Sequence, residues 1–543
     1  MSAALAHHQL VGIVGGLAGA PACAAEGQGA KAARFAAPEP PAFINDWSRD
    51  EFQFKFAPPS SGAVVYLYVP ADAKKLRALL LLQENVAEQL ISVHPAIRGA
   101  CDANAVAIAW CQPGFDPHFD LATAGKAHET VQRAFGHFGQ SIGYPELGQV
   151  PLVTFGHSAT CAYCQNAAEA CPERVLAVLA THGWNGVDSF RNYKGPVLLF
   201  MGSYWEQHQQ SRAVGSNKGI MSLGKVRKKL DENWMPISVV DEYGSGHFDY
   251  SDRVVEVMAM FIDKAVKARL DPDGKLRDID PASGYIATIP ALPARPIAVK
   301  PYTAGTAREQ AGSVWFFDKE LAEAAVKVID GSGTWARACQ LIGYDNPDGT
   351  PAPFGKSGLV NPVPYEIVPG TNEIRIFPVL LDAFPAGFEE AGKPLDMCGD
   401  PTITLEYVCG PYIYLDKDGK YRVKHNRGGP AGYLVARNLG DDKLRPAVQP
   451  TRLVLGRRNA GEAPVFSPGP QKAGAVVPLK NASSSGEYVG YYIDHGPARI
   501  VNQTLAILPL PANTQGPVEV ELVAYRLGQA VNGMSSVKFN VTK

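Results

Sequence analysis

Six short runs between residues 78 and 243, ALLLLQ (78–83), AVAIAW (105–110), LVTF (152–155), VLAVLA (175–180), PVLLFM (196–201) and PISVVDEY (236–243), are largely apolar at consecutive rather than alternating positions. A strand of that kind needs cover on both faces, and a parallel sheet with crossover helices on both sides supplies it. The stretches between the runs have helical composition. After the last run Val254, Val255, Met258, Phe261, Ile262 and Val266 recur at helical spacing, as a helix closing over the sheet requires. Two alternating segments come first, FQFKF (52–56) and AVVYLYV (63–69). The expected unit is therefore an α/β domain over residues 45–270, a mostly parallel sheet sandwiched by helices.

At 543 residues the chain exceeds what one hydrophobic core usually organises, and its texture changes near residue 270. Prolines cluster at TIPALPARPIAVKP (288–301), helical periodicity shrinks to FDKELAEAAVKVID, and short strands such as EIRIFPVL, TITLEYV and YIYLD follow between Gly, Pro and Asp turns. The expected division is a linker over 271–310, a β-rich middle module over 311–445 and a last module over 450–543, whose alternating strands resemble a bacterial immunoglobulin-like β-sandwich. Residues 1–25, MSAALAHHQLVGIVGGLAGAPACAA, hold no acidic residue, an apolar stretch from Leu10 and small residues at Ala22-Cys23-Ala24. That is the pattern of a secretory signal peptide, and it implies a secreted or periplasmic bacterial protein. Loss of Cys23 with the leader leaves eight of nine cysteines, compatible with disulfides (Cys101 with Cys111, Cys398 with Cys409) or with free buried thiols. With 51 Lys+Arg against 53 Asp+Glu, the net charge of -2 offers no field for nucleic acid or an anionic membrane, and no run reaches the ~18 apolar residues of a membrane span.

The chemistry concentrates in PLVTFGHSATCAYCQNAAEA (151–170), where a strand-forming run meets Gly156-His157-Ser158-Ala159-Thr160 and passes without a spacer into helix formers. A strand that becomes a helix within about five residues leaves its middle residue on a strained, exposed corner. A serine there needs a base within hydrogen-bond reach and a third group to hold that base. In a parallel sheet the loops after the strands open on one edge, so candidates are sought after later strands. His247 follows PISVVDEY in GSGHFDYSDR, and Glu206 follows PVLLFM, with Asp188, after the preceding strand, as the alternative acid. His94, His118, His128 and His137 show no metal-ligand spacing, and neither a metal nor an organic cofactor is expected. Cys161 and Cys164 are read as small residues packing the helix against the sheet.

A strand, G-x-S-x-small, a helix, then an acid and a histidine after later strands together resemble the α/β-hydrolase superfamily over about residues 50–268, with Thr160 where that pattern usually has glycine. The resemblance implies acyl transfer through Ser158, with His247 as base and Glu206 orienting it. It also implies an oxyanion hole from the backbone N–H groups of Ala159 and, in the loop after ALLLLQ, Asn85. Phe115, Phe119, Trp184, Tyr204 and Trp205 fall on the same loop edge and suit a sugar or aryl substrate. The expected function is that of a secreted serine esterase, a carboxylic ester hydrolase acting on carbohydrate-linked esters, with a small-molecule or polysaccharide ester as substrate. The alternative is a catalytically inactive hydrolase-like scaffold or glycan-binding protein.

Overall fold

Each consecutively apolar run forms a strand of one sheet. A computed structural model of the chain describes residues 52–58, 63–84, 88–111, 124–183, 190–202, 235–242, 250, 252–288, 297–303, 313–329, 340–354, 363–368, 373–386, 391–409, 413–415, 421–423, 431–444, 447–454, 460–461, 466–479, 488–501, 504–527 and 532–543. The expected leader, residues 1–25, lies outside them. The sheet comprises β1 (Phe54–Phe56), β2 (Val65–Tyr68), β3 (Ala78–Gln83), β4 (Val106–Cys111), β5 (Leu152–His157), β6 (Val175–Thr181), β7 (Val197–Gly202) and β8 (Ile237–Glu242), in the order β1-β2-β4-β3-β5-β6-β7-β8. β1 and β2 are antiparallel to each other, as are β2 and β4; every later pairing is parallel. Every residue of β3, β4, β5 and β6 is buried, which is why these strands lack polar alternation.

Among the described residues five helices accompany the sheet: α1 (Glu88–Val93), α2 (Pro95–Ala103), α3 (Ala124–Ile142), α4 (Cys161–Ala170) and α5 (Asp252–Arg269). The connection from β3 to β4 steps one way along the sheet, and the connection from β4 to β5 steps back past β3. Right-handed crossovers then send α1 and α2 to one face and α3 to the other. The packing agrees, with α2 against α5 and α3 against α4. Where the crossovers diverge, between the carboxyl ends of neighbouring β3 and β5, an open sheet of this kind has its ligand crevice. The order and the antiparallel start fit the α/β-hydrolase fold.

Both ends of the sheet are covered by chain from beyond residue 270. At the β8 end lie β9 (Tyr285–Thr288), β10 (Val299–Pro301), β11 (Ser313–Phe316) and α6 (Lys319–Ile329), with β9 paired to both β10 and β11. The Ser238 hydroxyl of β8 donates to the Trp315 carbonyl at 2.7 Å, and Lys264 of α5 pairs with Asp318 and Glu320. The stretch 271–310, expected as a linker, thus carries two strands of this cover: its prolines bracket short paired segments instead of marking a tether.

At the opposite end, the β1–β2 edge meets the C-terminal strands. Lys55 pairs with Asp494 at 2.8 Å, and the Tyr66 hydroxyl reaches the same carboxylate at 3.3 Å. The Gly496 amide donates to the Phe52 carbonyl at 2.8 Å, and the Asn513 side chain donates to the Lys74 carbonyl at 2.7 Å. Tyr491, Ile493 and Leu505 belong to the same buried apolar cluster as Leu82 and Trp110 of the sheet. Among its described residues the C-terminal unit has two sheets, one built around Tyr488–His495, Val518–Leu527 and Asn532–Thr542, the other around Val476–Pro478, Thr504–Ile507 and Ala498–Val501. In the middle region Ile342–Asp345 pairs with Phe377–Leu380, and Ala431–Asn438 lies between Thr404–Cys409 and Ala447–Val454. Cys101, Cys111 and Cys398 are separate buried thiols. No described helix is long and apolar enough to cross a membrane.

Candidate active site

β5 ends at His157, and the next residue turns the chain. Ser158 has φ of +54°, begins a single 3-10 turn ending at Thr160, and is followed at once by α4. Left-handed backbone at a residue with a Cβ costs about 1–2 kcal/mol, so it persists only where the surroundings impose it. Two glycines make the corner fit. A Cβ on Gly156 would overlap the Thr160 carbonyl, and one on Gly183 would overlap the Ser158 carbonyl. Among the described residues only Ala105, Ser158 and His182 are non-glycine with positive φ, and the last two stand side by side at the carboxyl ends of β5 and β6. Ser158 and Ala159 are half-buried, whereas His157 and Thr160 are buried on either side of them.

Thr160, the departure from the glycine of the pattern, has a specific partner. Its hydroxyl lies 2.5 Å from Oε1 of Glu88, the fully buried first residue of α1, and accepts from the His157 amide at 2.9 Å. The same amide reaches Glu88 Oε1 at 2.9 Å. Four residues earlier in sequence, Glu84 Oε2 accepts from the Trp110 indole at 2.6 Å and from the Gln89 amide at 3.1 Å. Glu84 is half-buried as a residue, but its carboxylate is enclosed. Burial first and the adjacent Glu88 charge second push it up to about 8, against the pull of the two hydrogen bonds. Near neutral pH the pair of carboxyls therefore carries a proton.

The sign of the resulting pH dependence follows from linkage. A carboxyl raised to about 8 in the fold binds its proton more tightly than in the unfolded chain, so the stability it contributes is complete below the ordinary carboxylate range and is lost as pH rises through about 8. The melting temperature is expected to fall between roughly pH 5 and 8, by about 2–4 °C for each kcal/mol lost. Glu84→Gln is expected to flatten that slope and to melt above the parent at pH 8. A thermal melt series compares the two proteins directly, and parallel slopes would refute the assignment.

Behind the corner sits an aromatic cluster. The Tyr250 ring lies 5.9 Å from His157, 5.2 Å from His182 and 5.9 Å from Phe200. Its hydroxyl is 2.7 Å from the Thr181 hydroxyl, which donates to the Gly156 carbonyl at 3.1 Å. Thr181 has one proton, so Tyr250 is the donor between them. Cys161 places its sulfur 3.2 Å from the Gly156 carbonyl, and Cys164 is buried with its thiol pushed up by burial, in line with packing positions.

Of the residues given a part in catalysis or substrate binding from the sequence, Ser158 and Ala159 are described. His247, Glu206, Asp188, Asn85, Phe115, Phe119, Trp184, Tyr204 and Trp205 lie outside the described residues. Sequence reasoning missed Glu84, Glu88, Thr181 and Tyr250. A signal for the first two was present, since two carboxylates four residues apart follow directly on the apolar run ALLLLQ.

No family model matches the chain, and no curated protein matches it. Solved structures do. Est1E from Butyrivibrio proteoclasticus is 12% identical with a TM-score of 0.26, covering 39% of this chain and 96% of its own. The siderophore hydrolase EstA from Aspergillus nidulans is 14% identical with a TM-score of 0.29, covering 39% and 93%. A dienelactone hydrolase from Anabaena variabilis is 13% identical with a TM-score of 0.27, covering 42% and 98%. Identities and TM-scores this low assign no activity to this chain.

Proposed function

We propose that the chain is a serine hydrolase of carboxylic esters. The observation that carries this reading is the left-handed backbone of Ser158 at the carboxyl end of β5, beside the point where the crossovers diverge. A serine on such a strand-to-helix corner has its hydroxyl exposed at the top of the sheet. In this reading His247 takes the hydroxyl proton as Ser158 Oγ attacks the ester carbonyl, and Glu206, or else Asp188, holds the imidazole. The oxyanion draws on the backbone N–H groups of Ala159 and Asn85. The imidazolium gives that proton to the alcohol as the ester C–O bond breaks; the acyl-enzyme is then hydrolysed by a water that the neutral imidazole deprotonates, and the proton returns to Ser158 Oγ as the acid leaves.

Tyr250, three residues beyond His247, supports this arrangement because its ring packs against His157, next to the nucleophile. Tyr250→Ala is expected to lower kcat about 10- to 100-fold by loosening the chain that follows the base, while Tyr250→Phe, which keeps the ring, loses less. Steady-state kinetics on p-nitrophenyl acetate with both variants check this; a Tyr250→Ala protein with the parent's kcat would contradict it.

The substrate class proposed is a carbohydrate-linked ester, met by Phe115, Trp184, Tyr204 and Trp205 on the loop edge, in a protein exported by the leader at residues 1–25 and carrying a C-terminal immunoglobulin-like module. Release of acid from acetylated, methyl-esterified and feruloylated polysaccharides, compared with release from short-chain aryl and lipid esters, tests it. Turnover of the aryl and lipid esters alone would remove the carbohydrate part of the proposal and leave the hydrolase.

A further inference from the structure

Thr160 and Glu88 have no part in the chemistry outlined above, yet they bond to each other and to the chain at the corner that presents the nucleophile. Glu88 Oε1 receives the Thr160 hydroxyl at 2.5 Å and the His157 amide at 2.9 Å, so one buried oxygen is bonded to the chain on both sides of Ser158. Glu88 also opens α1, directly after the segment that follows β3. The near end of that segment is held by Glu84 through Trp110. One carboxylate therefore joins the serine corner to the loop from which the second oxyanion donor is expected.

We propose that Glu88 is a positioning residue for the nucleophile, fixing the strained backbone at Ser158 through the Thr160 hydroxyl and the His157 amide. This rests on Ser158 being the nucleophile. A glycine at position 160, as in the usual pattern, would leave the corner with no side chain to bind a buried acid; here threonine and glutamate act as a matched pair. The consequence is kinetic. Loss of the pair lets the corner relax, misplacing the hydroxyl without altering the surface on which the substrate binds, so kcat falls and KM does not.

The test uses the full chain and p-nitrophenyl acetate, with a fluorophosphonate probe reporting the reactivity of the serine. Thr160→Val keeps the shape and removes the hydroxyl; it is expected to lower kcat and the labelling rate about 10- to 100-fold, a range set by misplacement of about 1 Å, with KM changed by less than about threefold. Thr160→Ser restores the hydroxyl and is expected to recover most of that loss. Glu88→Gln, which keeps an acceptor oxygen but cannot carry the charge, is expected to act in the same direction with a smaller loss, and the double variant to lose little more than the worse single one, because both act on one shared contact. Thr160→Val with the parent's kcat, equal losses in the valine and serine variants, or fully additive losses would each overturn the proposal. Should Thr160→Val fail to give the parent's circular dichroism, Glu88→Gln and Thr160→Ser are judged by the same kcat and KM criteria. Hydrolysis that persists in Ser158→Ala would instead sink the underlying nucleophile reading, whatever the Thr160 variants do.

Discussion

Ser158→Ala is expected to lower kcat for p-nitrophenyl acetate by roughly 10⁴- to 10⁶-fold while leaving the melting temperature within a degree or two of the parent, measured by stopped assay and thermal melt. The size of the effect reflects what the hydroxyl does in the reaction. In the proposed mechanism it forms the bond to the acyl carbon, and neither His247 nor the oxyanion donors could replace that bond with anything but a loosely placed water. The stability is expected to hold because the corner is imposed from outside. Gly156, Gly183, Thr160 and Glu88 set the backbone at residue 158. Alanine tolerates the left-handed conformation no better and no worse than serine, so its cost is unchanged. A small fall in activity, tenfold or less, would mean that Ser158 is not the nucleophile.

The second large effect concerns the far end of the molecule. A chain ended before residue 450 is expected to be recovered mostly as aggregate, and any soluble fraction to melt at least about 10 °C below the parent. The reason lies at β1 and β2. Removing the C-terminal unit strips Asp494 from Lys55, the Gly496 amide from Phe52 and the Asn513 side chain from Lys74. It also exposes the apolar surface that Tyr491, Ile493 and Leu505 share with the sheet core. An uncovered sheet edge with apolar surface beside it is a template for association. Size-exclusion chromatography and a thermal melt on the shortened chain provide the check. A soluble product with the parent's melting temperature and esterase rate would show that the unit is an appendage rather than part of the fold.

What the sequence made legible follows from the range over which each signal acts. The strands of the sheet could be read because burial on both faces leaves a local mark, unbroken apolar residues, in β3, β4 and β6 alike. The corner at Ser158 could be read because a strand and a helix with no spacer force one residue between them into a special conformation, and the +54° φ is that conformation. Glu88 could not be read as a partner of Thr160, because an acid at the start of a helix ordinarily faces water and favours the helix dipole; that this one is fully buried depends on β5 lying beside β3. The contact of Lys55 with Asp494 spans 439 positions and leaves no local trace at all. Residues 285–288 and 299–301 were hidden among prolines, since a strand of three or four residues is too short to show a period.

The most direct measurement of the central claim is peptide mapping by mass spectrometry after reaction of the parent protein with a fluorophosphonate. A single adduct on Ser158, formed with loss of esterase activity in step with labelling, is the result that a nucleophile on the β5 corner requires. An adduct on another residue, or full loss of activity with Ser158 unmodified, would contradict it.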